Sequence, residues 1–114
     1  MPRTVTVVIR EDPRQSHRAV EALRIALGLG AGEDRLAVLL LDYAPLLLAE
    51  DRDEIVDEHV LEKYLPSFQH LETEFLVPPG TTARLQLEQG LTIHELPLPD
   101  LQRRVVESDR VLVF

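Results

Sequence analysis

The sequence contains no cysteine, and aromatic residues make up only 4% of it. Without a thiol there is no disulfide framework, no thiolate zinc site and no cysteine nucleophile. With so few rings there is little surface on which bases or other rings could stack. Positive charge is also short. The chain has 12 Lys and Arg against 20 Asp and Glu, for a net charge of −8. That balance lacks the basic footprint of a nonspecific nucleic-acid binder, and it fits solubility and a basic partner protein. No apolar run approaches the roughly 20 residues of a membrane span, and the apolar run after Met1 is too short for a signal peptide. The expectation is a cytoplasmic protein with no membrane or nucleic-acid partner. The four histidines, His17, His59, His70 and His94, include no pair at metal-ligand spacing, and no metal or cofactor is expected.

What is present is aliphatic. Apolar residues make up 45% of 114 residues, mostly Leu and Val, enough to form one domain (1–114) around a core without metal or disulfide staples. The β-branched run 5–9 predicts a strand covered on both faces. After the turn at Asp12-Pro13, Ser16 is placed to cap a helix. Its buried side would carry Ala19, Val20, Leu23, Ala26 and Leu27, and Gly28, Gly30 and Gly32 would end it. The run 36–41 is a second strand, so 5–41 has the length of a βαβ unit with a right-handed parallel crossover. Further on, the patterns predict a short helical stretch 45–48 and a helix over 54–65 entered by a capping box at Asp51 and Glu54. That helix would present Val56, Val60 and Tyr64, and Pro66 would end or bend it. A third strand is expected at 73–77, then a helix 83–89 capped by Thr81 or Thr82 and closed by Gly90. An edge strand at 91–96, a last helix bearing Leu101, Val105 and Val106, and a fifth strand at 110–114 complete the pattern. Five alternations with short connections imply a parallel sheet with helices on both faces.

Ligands of open parallel sheets bind beyond the carboxyl ends of the strands. Three loops there carry candidate residues, each with a plainer reading. Ser16 follows a loop without glycine, which rules out a glycine-rich phosphate cradle and favours an ordinary capped turn. Asp42 with Tyr43 offers a carboxylate and a phenol to a small ligand, or a helix cap. Gly80, Thr81 and Thr82 open a helix where an anion could be held, or simply cap it. A catalytic set assembled from Ser16, Asp42 and His94 lacks a nucleophile elbow and has no specific spacing, so no catalytic residue is assigned. The carboxylates Glu54, Asp57, Glu58 and Glu62 form an acidic stripe at helical spacing, either a solvated face or a docking face for a basic partner.

The layout resembles the DsrE/DsrF-like family of sulfur-relay proteins. The resemblance rests on the opening strand 5–9, Pro13 and Ser16 before a helix ending Ala26-Leu27, a second strand ending Leu41-Asp42, Leu85 with Gly90-Leu91, and the terminal run 108–114. It implies a three-layer α/β/α sandwich with a five-stranded, mostly parallel sheet, assembled into homo- or hetero-oligomers with related subunits. Some members carry persulfide sulfur on a cysteine in the loop after the third strand. Here that loop is Pro78-Pro79-Gly80-Thr81-Thr82, and neither threonine nor serine can store sulfane sulfur. Gln15 also stands in the turn where glycine is common in the family, and Tyr43-Ala44 follows Asp42 where members often have glycine and an aliphatic residue. The resemblance therefore implies a thiol-free member. It would be an accessory subunit of sulfur-relay-type assemblies or a binder of a small ligand or nucleotide.

Overall fold

A computed structural model describes residues 2–114. The strands are β1 (Thr4–Ile9), β2 (Arg35–Leu40), β3 (Glu74–Val77), β4 (Thr92–Glu95) and β5 (Arg110–Val113), in the sheet order β4-β3-β2-β1-β5. Every neighbouring pair is parallel, with Val5 opposite Leu36 on one side and Arg110 on the other. The helices are α1 (Arg18–Gly30), α2 (Glu58–Leu71), the single turn α3 (Thr81–Arg84) and α4 (Leu98–Glu107), and a 3-10 turn spans Ala44–Leu48. The expected α/β/α architecture with five strands is found, and its sheet is wholly parallel.

Alternation along the strands divides the core in two. On one face Val7, Ile9, Val38, Leu40, Phe75 and Val77 pack with α1 and α2. Ala19, Leu23 and Ala26 come from α1, and Leu61, Leu65 and Phe68 from α2. Phe68 meets Phe75 edge-on, with 5.3 Å between ring centroids. On the other face Val8, Ala37, Leu39 and Leu76 pack against Leu101 of α4, flanked by Val105 and Val111. Because β4 and β5 are opposite edges, α4 crosses this second face on its way between them.

Several local expectations are corrected. The N-cap position of α1 is His17, and Ser16 acts one residue earlier, its Oγ accepting the Arg18 N–H at 3.1 Å. Gly28 and Gly30 lie inside the last turn of α1 and do not stop it; Ala31 is the C-cap. The capping box at Asp51 is absent. Asp51 instead accepts the Asp53 N–H in a local turn, and α2 starts at Glu58, four residues beyond the expected start at 54. The helix runs through Pro66 to Leu71. Pro66 forfeits one backbone hydrogen bond, but it is exposed, and burial of Leu65 and Phe68 on the opposite side holds the segment helical. Consequently the buried stripe is Leu61, Leu65 and Phe68, and Val56, Val60 and Tyr64 are only half-buried.

The helix expected at 83–89 is confined to one turn. Beyond it the chain extends to pair with the segment after the 3-10 turn: the Glu50 N–H donates to Gln86 O at 2.9 Å, and the Glu88 N–H to Leu48 O at 2.7 Å. An antiparallel bridge joins Ala49 to Leu87, and Leu87 packs on the core. Gly90, at φ 90°, serves a turn before β4 and closes no helix. In α4, Val106 points to solvent, 82% exposed, leaving Leu101 and Val105 as the inward residues. Among the described residues no helix is long and apolar enough to cross a membrane.

Candidate functional site

The loops at the carboxyl ends of β1, β2 and β3 gather on one rim, as a parallel sheet requires. Asp42 follows β2 with φ 57°, a left-handed conformation that aspartate tolerates better than most residues. Its exposed carboxylate lies 3.4 Å from Arg10 Nε and makes no cap to the following 3-10 turn, whose N-cap position is Tyr43. Tyr43 is 57% exposed. The Arg14 guanidinium lies 4.5 Å from the centre of its ring, within cation–π range. Arg14 is in turn forked onto Asp12, donating from Nε at 3.0 Å and from Nη2 at 2.9 Å. That pairing holds the Asp12 carboxyl below the usual range.

Arg14, Asp42 and Tyr43 line a hollow of about 230 Å³ with Pro45, Leu46, Arg84 and Leu85. It adjoins a larger one of about 460 Å³ through Arg14, Leu46, Arg84 and Leu85, which line both. The two make one elongated groove, with Tyr43 at one end and the 49–55 segment at the other. Asp42 and Tyr43 are thus brought together with two arginines. Sequence reasoning missed Arg14 and Arg84. The signal for Arg14 was its position two residues after Asp12 in a strand-to-helix turn; nothing in the sequence placed Arg84 opposite it.

The other candidates are engaged elsewhere. Thr81 is buried, and its hydroxyl donates to Pro78 O at 2.8 Å. Gly80 precedes it at φ 88°, where a side chain would be strained. The Thr82 N–H and hydroxyl both donate to Glu95 Oε1 at 2.9 Å. The place where an anion could have docked is therefore filled by the protein's own carboxylate, reaching over from β4. These bonds, the backbone one first, hold the Glu95 pKa down. Its ionised form supports the fold above the usual carboxylate range, and that support is lost as pH falls through the depressed value. Ser16 lines neither part of the groove.

A catalytic trio does not assemble, because Ser16 is bonded to Arg18, Asp42 faces Arg10, and His94 Nε2 lies 3.7 Å from Glu74. Among the described residues no three His, Cys, Asp or Glu side chains are grouped to hold a metal. The acidic stripe does have a cation. Arg52, its side chain only 11% exposed, reaches Glu88 at 2.9 Å, Glu62 at 3.7 Å and Glu58 at 3.9 Å. Glu58 nevertheless has its pKa raised, first by its hydrogen bond to Glu62 and then by burial.

No family model matches the sequence, and no curated protein matches it. The chain does share its fold with a solved structure, the crystal structure of the ychN protein from E. coli, at a TM-score of 0.78 over 100% of both chains and 20% identity. That neighbour has a DsrE/DsrF-like fold, and at this identity the likeness establishes the fold alone.

Proposed function

We propose that this chain is a thiol-free relative of the DsrE/DsrF-like proteins, working as a non-catalytic partner or accessory subunit in sulfur-relay-type assemblies. Absence of a thiol removes the group that would carry sulfur, and the Glu95–Thr82 contact closes the loop where relatives place their cysteine. The observation that carries the reading is the incomplete cover of the sheet's second face. Leu98 continues the Leu101–Val105 stripe of α4 yet is 58% exposed, and Val113, on that face of edge strand β5, is 64% exposed. Uncovered aliphatic groups beside an unpaired strand edge favour association with another subunit. Sedimentation velocity should give a discrete oligomer, and the double variant Leu98→Glu/Val113→Glu should shift it to smaller species without loss of helical circular dichroism. A protein that stays monomeric throughout the micromolar range would sink self-assembly.

A second reading is supported by the groove at Asp42 and Tyr43: binding of a small ligand such as a nucleotide, whose base would share the Tyr43 ring with Arg14. Saturating ligand at 100 times its dissociation constant should stabilise the protein by about 2.7 kcal/mol. A thermal-shift series of nucleotides with no response would remove this reading.

A further inference from the structure

The larger end of the groove has an unusual charge arrangement. Its floor is aliphatic, formed by Leu46, Ala49, Ile55 and Leu85. One lip carries Glu50, Asp51, Asp53 and Glu54, all exposed, and among the described residues none of them lies within ion-pair distance of a cation. The one cation within this stretch, Arg52, turns away from the lip. It donates to Ala49 O at 2.9 Å and faces Glu88, Glu62 and Glu58 on the far side. Arg14 is matched by Asp12 and also feels the charge of Glu54, and Arg84 is bonded through Nε to Gly80 O. The lining therefore sets four carboxylates against two guanidiniums, one of them already neutralised.

From this complementarity we infer that the groove is a docking site for an extended basic segment of a partner protein, with an aliphatic side chain seated on the floor and flanking Arg or Lys side chains meeting the lip. The volume, about 460 Å³, lies in the range of ligand-binding pockets and suits an aliphatic side chain with its backbone. Burial of the aliphatic group supplies the contact that charge alone does not, and the carboxylates select the sign of its neighbours. No residue that lines this site belongs to the exposed Leu98–Val113 surface of the assembly reading, so either can fail without the other.

The test uses the full chain and a blocked pentapeptide of alternating arginine and leucine, with blocked pentalysine and spermidine as competitors. The expected result is one peptide per chain by titration calorimetry at low salt, with amide shifts in the NMR spectrum confined to residues 46–55 and 84–86. Replacing Glu50→Gln, Asp53→Asn and Glu54→Gln together removes three carboxylates whose side chains make no hydrogen bond or ion pair in the fold among the described residues. At the strength of exposed ion pairs, the triple variant should bind about tenfold more weakly, with its oligomeric state and melting temperature unchanged. Pentalysine or spermidine binding as tightly as the arginine–leucine peptide would overturn the proposal, since charge alone would then explain it. So would undiminished binding by the triple variant, amide shifts elsewhere, or no binding of the peptide.

Discussion

The two faces of the sheet are built differently. One is covered by α1 and α2 together, lined almost entirely by aliphatic groups and locked by Phe68 against Phe75. The other is crossed by α4 alone, and polar pairs supplement its small apolar cluster. Thr6, 3% exposed, bonds the Ser108 hydroxyl at 2.5 Å; Ser108 donates to Arg104 O at 2.6 Å; Arg104 is paired with Glu74. Stability is expected to reside mainly on the first face, where burial is continuous. The second face has specific polar contacts and uncovered margins.

The largest expected effect is the contrast between core truncations. Phe75→Ala should cost about 3–5 kcal/mol by chemical denaturation, because it leaves a cavity and removes the edge-on contact with Phe68. Leu101→Ala on the second face should cost about 2–3 kcal/mol, since its surroundings can collapse more readily. Equal costs would break the distinction between the faces.

A smaller effect should follow from Ser108→Ala, which leaves the buried Thr6 hydroxyl without its partner. A loss of about 1–3 kcal/mol is expected. Adding Thr6→Val should recover part of that loss, because both polar groups are then gone. A double variant no more stable than the single one would show that the pair contributes through something other than mutual satisfaction.

The smallest effect is in the acid limb of the stability curve, and its sign differs between the faces. On the second face's side Asp109 accepts the Thr4 N–H at 2.8 Å and the Thr4 hydroxyl at 3.2 Å, the backbone bond first in holding its pKa below the ordinary value. Its contribution is present above the ordinary aspartate pKa and is lost as pH falls through the depressed one. Glu58 on α2 behaves oppositely. Its pKa is raised by Glu62, so its contribution is present below the ordinary glutamate pKa and is lost as pH rises through the raised one. Denaturation midpoints taken from about pH 3 to about pH 6 should therefore show Asp109→Asn flattening the fall in stability on acidification. In the same series Glu58→Gln should steepen that fall, by raising stability at the upper end. Both variants changing the slope in one direction would contradict these assignments.

The fold was legible because its strongest segments are also its most buried. The run at 5–9 is apolar or β-branched at every position, and such a run reads as a strand buried on both faces; the Ala19–Ala26 spacing reads equally plainly as a helix stripe. Where burial competed with local signals, local signals lost. Pro66 is a local signal to end or bend a helix, but Leu65 and Phe68 on the reverse side kept α2 helical through it. Leu85 to Gln89 has helical propensity, but its pairing with residues 48–50 drew it into an extended form. The candidate site was half legible. Asp42 and Tyr43 follow a strand end, so topology carries them to the rim. The anion site at Gly80–Thr82 failed because Glu95, thirteen residues further on, fills it.

By itself the sequence determined the order of strands and helices, the parallel sheet they imply, and the absence of thiol chemistry. Those follow from residue type and short-range periodicity, which act within a few turns of chain. Only the tertiary structure decided which charges are matched. Arg52 meets Glu88 and Thr82 meets Glu95 because the sheet brings together segments far apart in the chain, and the same folding leaves Glu50, Asp53 and Glu54 facing solvent over an aliphatic floor. Electrostatic pairing depends on distance in space, and sequence separation carries little information about it.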